Sequence, residues 1–200
     1  MKSKLLIFYP IMLIAFALFS FKSSIQKMVL DFSLKNVNDK IVSTSSYKNA
    51  KGFIIVFTCN HCPFAKLYSK RLNDLNVKYS KLNVPLLAIN SMDSLVYEEE
   101  TFELMKQKAK KENFNFPYLQ DGMQTVGKLF GAEHTPTAYV IWKEKNHWTI
   151  KYVGSIDDNG EHPEKATPFI SNAVDELLEN KNVTESETES FGCRIFYRKK

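Results

Sequence analysis

The chain has 200 residues, 44% of them hydrophobic and 24% charged, with a formal net charge of +5. That balance suits one domain with a buried core and excludes both a largely disordered chain and a polytopic membrane protein. Lys2, Lys4 and Lys22 lie in an acid-free N-terminus, so subtracting them from +5 leaves +2 for residues 25–200; Arg71, Arg194 and Arg198 are the only arginines, which speaks against a nucleic-acid partner.

Residues 5–21 are apolar apart from Tyr9, Pro10 and Ser20, and Lys2 and Lys4 precede them. The run matches a signal peptide or an N-terminal membrane anchor over residues 1–24; its length is at the lower edge of what spans about 30 Å of hydrocarbon. No small-x-small cleavage pattern stands directly before Ser23, which favours an uncleaved anchor. The preceding lysines place residues 25–200 outside the cytoplasmic membrane, where disulfides persist. Two short strands are expected at Val29–Leu34 and Lys40–Ser43. Phe53–Phe57 is a continuous apolar run that reads as a central strand buried on both faces. A helix over Pro63–Tyr79 follows directly, with Pro63 in its first turn, then a strand at Val84–Asn90 and a charged helix at Glu98–Glu112. A short helix at Gln124–Phe130, strands at Thr137–Trp142 and Thr149–Val153, and a helix at Thr167–Asn180 complete an α/β domain with a mixed sheet over residues 25–180. Residues 181–200 read as a flexible tail, since the polar stretch 182–190 cannot bury a core.

Three cysteines occur in the chain, two of them in Cys59-Asn60-His61-Cys62. At a strand-to-helix junction the first sulfur is expected to meet unpaired helix N–H groups, which favour thiolate. Cys59 is thus expected to attack and Cys62 to resolve the mixed disulfide. His61, between them, is expected to donate a hydrogen bond or positive charge to the thiolate, and so to raise the reduction potential above thioredoxin's, about −270 mV. A purely structural disulfide closing so small a loop would add little stability. Zinc would need a second ligand pair that the sequence lacks, and covalent haem attachment needs histidine where Pro63 stands. No metal and no bound cofactor are expected beyond the redox-active pair.

His134-Thr135-Pro136-Thr137 precedes the apolar strand 138–142. With a C-x-x-C at a strand–helix junction and T-P-T before a late strand, the sequence resembles the thioredoxin superfamily. The layout is most similar to exported or membrane-tethered redoxins of the bacterial envelope, relatives of AhpC/TSA, that carry a C-N-H-C-P centre, a G-C-x-I end and an N-terminal β-hairpin. Residues 116–122 and 154–159 match stretches of that group. The resemblance implies a thioredoxin-like fold, a cis-proline at Pro136, and a Thr135 backbone that pairs with a substrate chain. It implies a thiol–disulfide oxidoreductase acting on protein thiols and disulfides with an electron-donor or acceptor partner. Phe53 and Thr58 depart from the acid and the tryptophan usual in thioredoxins, which leaves the proton acceptor for Cys62 unassigned. Peroxidase activity is the alternative, although counting back from Cys59 puts Val56 and Gly52 where the peroxidatic P-x-x-x-T-x-x-C pattern needs threonine and proline. A copper chaperone is a second alternative, with His134 and His61 joining the cysteines. Cys193, in Phe191-Gly192-Cys193-Arg194-Ile195, is either a third redox thiol that docks on the pair or an incidental cysteine. Asp157 and Asp158 read as a solvated turn, and Trp142, Trp148, Tyr139 and Tyr152 as core and edge packing.

Overall fold

The computed structural model describes residues 27–199; the expected signal or anchor over residues 1–24 lies outside them. No helix among the described residues is long and apolar enough to cross a membrane. The strands β1 (Met28–Val29), β2 (Ser33–Asn36), β3 (Ile41–Ser43), β4 (Gly52–Phe57), β5 (Leu86–Asn90), β6 (Tyr118–Gln120), β7 (His134–Thr135), β8 (Thr137–Glu144), β9 (His147–Gly154) and β10 (Cys193–Arg194) alternate with the helices α1 (Pro63–Lys66), α2 (Ser69–Tyr79), α3 (Phe102–Lys111), α4 (Thr125–Phe130) and α5 (Phe169–Leu178). Eight strands form one mixed sheet in the order β1-β9-β8-β4-β5-β6-β2-β3, while β7 and β10 pair separately.

β4 is central, as its unbroken apolar run implies. It pairs in parallel with β5 and antiparallel with β8, and all six of its residues are buried. Phe53, Ile55 and Phe57 enter one core layer with Phe130, Tyr139 and Trp148. Ile54 and Val56 enter the other, under Leu72 of α2, Met105 of α3 and Val174 of α5. Each such fully buried side chain contributes roughly 1.5–3 kcal/mol, so β4 is the least replaceable segment of the sheet.

The expected strand Val29–Leu34 divides in two. β1 pairs with β9 at one end of the strand order, and β2 pairs with β6 and β3 at the other. Only residues 30–32 separate them, a reach of roughly 14 Å or less at about 3.5 Å per residue, so the sheet curls until its edges approach. The three-residue β6 was too short to show a period. The expected helix Pro63–Tyr79 is broken at Leu67–Tyr68, where Leu67 and Tyr68 donate to Phe64 and Ala65 carbonyls in tight three-residue turns. The expected helix Glu98–Glu112 is also divided: Glu98–Glu100 is a 3-10 turn, and Thr101 caps α3 by accepting from the Leu104 N–H at 3.3 Å.

The turn at Asp157 differs from the solvated turn expected there. Asp157 is buried, accepts from Tyr68 Oη at 3.2 Å and pairs with Arg71, whose guanidinium also reaches the Asn159 and Gly160 carbonyls. This pair ties the break before α2 to the loop after β9. Asp157→Ala would strand a mostly buried guanidinium, at a cost of about 3 kcal/mol. A fall of roughly 6–12 °C in Tm is expected, and a shift below about 2 °C would show the pair to be dispensable.

The polar stretch read as a flexible tether is held against β9. Val153 donates to Ser186 O and accepts from Thr188 N–H, both at 3.0 Å, and Thr188 Oγ1 accepts from the Ser155 N–H at 3.0 Å. Beyond it, Ile195 is buried and Arg198 pairs with Asp93 at 2.5 and 2.6 Å. Backbone pairing with an open strand edge needs no apolar side chains, so composition alone did not reveal it.

Candidate active site

At the end of β4, Thr58 still donates to the Ile89 carbonyl at 2.9 Å; the chain then leaves the sheet at Cys59. Pro63 opens α1 with Cys62 at its N-cap. Both sulfurs are buried, and both approach Thr135: Cys59 Sγ lies 3.0 Å from Thr135 Oγ1, and Cys62 Sγ 3.2 Å from the Thr135 carbonyl oxygen. The Thr135–Pro136 peptide is cis. Residues 73 and more positions apart in the chain therefore meet, and Cys59, Cys62, Thr135 and Pro136 form one cluster.

The helix amides serve a different sulfur from the one expected. The Cys59 thiol, the Cys193 thiol and the backbone N–H groups of Ala65 and Cys193 converge on Cys62 and hold it well below an ordinary thiol. As a thiol, Cys62 would donate to the Thr135 carbonyl; the four donors facing it favour the thiolate. Cys59 is pushed upward because it donates to Cys62, is buried, and faces the Glu100 carboxylate. The reason is local geometry. Asn60 and His61 are not helical, so the first amide turn of α1 lies one residue beyond Cys62 rather than beneath Cys59.

His61 is also placed differently. Its Nδ1 pairs with Glu100 Oε1 at 2.6 Å, and its ring stacks on Tyr97 at 4.4 Å, so its strongest partner is a carboxylate and not a sulfur. Glu100 is 2% exposed. Its oxygens also accept from the Asn60 N–H at 2.9 and 3.0 Å, the His61 N–H at 2.9 Å and Asn90 Nδ2 at 2.6 Å. One ligating atom each of Cys59, His61 and Glu100 lies within 4.8 Å of the others. Lys108 Nζ donates to the Cys59 carbonyl at 2.7 Å, which fixes the loop from the other side. Glu100 is the residue that sequence reasoning missed. In the run Glu98-Glu99-Glu100 nothing distinguishes the third acid; the only available signal was Thr101, whose capping preference breaks the helix and turns Glu100 inward. His134 lies on β7, opposite Arg194 of β10, and is not a member of the Cys59–His61–Glu100 group.

The AhpC/TSA family matches residues 25–152. The chain belongs to that family. No curated protein matches it. It is similar to an uncharacterized conserved protein from Geobacillus kaustophilus, with 34% identity, 88% of this chain and 93% of that one covered and a TM-score of 0.77. It is also similar to a hypothetical protein from Sinorhizobium meliloti, with 27% identity, coverage of 88% and 96% and a TM-score of 0.79. The peroxidoxin BcpB from Mycobacterium tuberculosis shares the fold at 16% identity, coverage of 77% and 93% and a TM-score of 0.55. The fold is thioredoxin-like, a mixed curled sheet flanked by helices. Within the AhpC/TSA family this chain departs from the peroxidatic pattern from either cysteine: counting back from Cys62 gives Cys59 and Ile55 in place of threonine and proline.

Proposed function

We propose that this AhpC/TSA family member is a thiol–disulfide oxidoreductase that exchanges disulfides with protein substrates through Cys59 and Cys62. The observation that carries the reading is the approach of both sulfurs to Thr135, 3.0 and 3.2 Å away, beside a strand whose backbone can pair with an incoming peptide. On this reading the roles expected from sequence are exchanged, in the direction that the donors facing Cys62 support. The Cys62 thiolate attacks one sulfur of a substrate disulfide, forming a mixed disulfide and releasing the other sulfur as thiolate. Cys59 then gives its proton to the neighbouring Glu100 carboxylate and attacks Cys62 Sγ, and the second substrate thiol leaves. The substrate gains two electrons and the pair becomes the Cys59–Cys62 disulfide; run in reverse, the same steps oxidise a dithiol. The direction is set by a redox partner protein, no bound cofactor takes part, and the lysine-led apolar N-terminus supports work outside the cytoplasmic membrane.

The alternative reading, hydroperoxide reduction, draws on the same thiolate at a helix N-cap. Two assays separate them. Insulin disulfides should be reduced at least about tenfold faster than hydrogen peroxide is consumed, and the opposite ranking selects the peroxidase. Cys59→Ser should accumulate a mixed disulfide on Cys62. Accumulation on Cys59 in Cys62→Ser, and not in the other variant, would return the attacking role to Cys59.

A further inference from the structure

β10 lies where a substrate strand would lie. Cys193 pairs antiparallel with Thr135, and Arg194 with His134; both the thiol and the backbone N–H of Cys193 face Cys62. Gly192 has φ +146°, and a Cβ there would collide with the Thr135 carbonyl, so glycine permits this close approach. Phe191 sits edge-to-face on Phe64, centroids 5.7 Å apart, at the mouth of a cavity of about 220 Å³ lined also by Leu67, Tyr68 and Pro136. On the other side the Ile195 N–H donates to Glu133 O at 2.8 Å, Gln124 Nε2 donates to the Phe196 carbonyl at 2.8 Å, and Arg198 is clamped by Asp93. The segment is therefore seated by backbone pairing, by an apolar contact on one side and by polar contacts on the other, and it lies against Cys62.

We propose that Phe191–Phe196 is an intramolecular substrate strand, and that Cys193 is a third redox-active thiol which exchanges with the Cys59–Cys62 disulfide to form a Cys62–Cys193 disulfide. The proposal rests on the disulfide-exchange reading above and extends it. In the exchange Cys193 sulfur attacks Cys62 Sγ, the Cys59–Cys62 bond breaks, and Cys59 leaves with the proton that Cys193 gives up. No further oxidant is consumed, because the disulfide is only transferred. Two consequences follow. A tethered strand competes at an effective concentration on the order of millimolar, so an external peptide reaches Cys62 only by displacing it. The strand also displays what the groove accepts: an aromatic residue two positions before the reacting cysteine and a small residue directly before it.

The test uses the full chain, oxidised with one equivalent of diamide, acid-quenched with N-ethylmaleimide and mapped after trypsin without reduction. Trypsin places Cys59 and Cys62 on the peptide 52–66 and Cys193 on 182–194. The expected product is these two peptides joined, with maleimide on Cys59. In Gly192→Val the joined peptides should fall at least tenfold while the Cys59–Cys62 disulfide persists, and reduction of an external disulfide should rise several-fold. Arg198→Ala, which breaks only the distal anchor, should shift both readouts in the same direction by less. A wild-type chain that reduces insulin and forms only the Cys59–Cys62 disulfide, with Cys193 fully labelled, overturns this proposal alone. Joined peptides undiminished in both variants also overturn the docked strand. Absence of any disulfide on peptide 52–66, with no insulin reduction, overturns it together with the proposed function.

Discussion

Cys62→Ser is expected to slow disulfide reduction by at least about 10³-fold, in the range that removing a covalent nucleophile produces. The wild-type reaction with a small disulfide should be nearly independent of pH between about 6 and 8. The sign follows from which form reacts. Only the thiolate attacks, and Cys62, held well below an ordinary thiol by the donors around it, is already ionised throughout that interval. Protonation removes the reactive form only in acid, below that interval, where the rate should fall tenfold per unit. An ordinary cysteine, near 8.5, would instead gain about tenfold per unit from pH 6 to 8, and that profile would refute the assignment. Stabilising the ionised dithiol also makes the disulfide a stronger oxidant, so the couple should stand above about −270 mV, the outcome sequence reasoning reached through His61. A glutathione titration that places it at or below that value would show that the four donors do not stabilise the reduced state.

Glu100→Ala should unfold more easily and turn over more slowly. The substitution leaves the N–H groups of Asn60 and His61, the Asn90 amide and the His61 ring without the carboxylate they now share. A buried donor left unpaired costs about 1–3 kcal/mol. The four are neighbours and relax together, so a net loss of about 3–5 kcal/mol is expected, or roughly 6–20 °C in Tm. The same contacts set the path of the Cys59–Cys62 loop, and displacing reacting atoms by about 1 Å can cost 10²-fold in rate. Glu100→Gln separates the two roles. It keeps the shape and one acceptor, and so should recover most of the stability, yet it takes no proton from Cys59. Its mixed disulfide with substrate should therefore persist at neutral pH and resolve faster as pH rises. A Gln variant with the wild-type rate and pH profile would confine Glu100 to a structural role.

Much of this molecule follows from order along the chain. Residues 53–57 read as a strand because a short apolar run with β-branched residues, bounded by Gly52, fits a sheet covered on both faces, and β4 is such a strand. Pro63, with fixed φ and no N–H, can only begin a helix, so the helix start beside Cys62 was legible, as was the pairing of Cys59 and Cys62 with Thr135 and Pro136 once the family resemblance supplied the register between them. Three features came from the tertiary structure. Glu100 turns inward because Thr101 caps α3 and Asn60, His61 and Asn90 offer it donors, partners 10 to 40 positions away. The helix amides fall to Cys62 because two non-helical residues, Asn60 and His61, separate Cys59 from the helix start, and the path of such a loop is not encoded in propensity. The tail docks because an exposed strand edge accepts any backbone that can approach it, and Gly192 lets this one do so. Local periodicity encodes which face of an element is apolar; it does not encode which distant donor, charge or strand edge that element will meet.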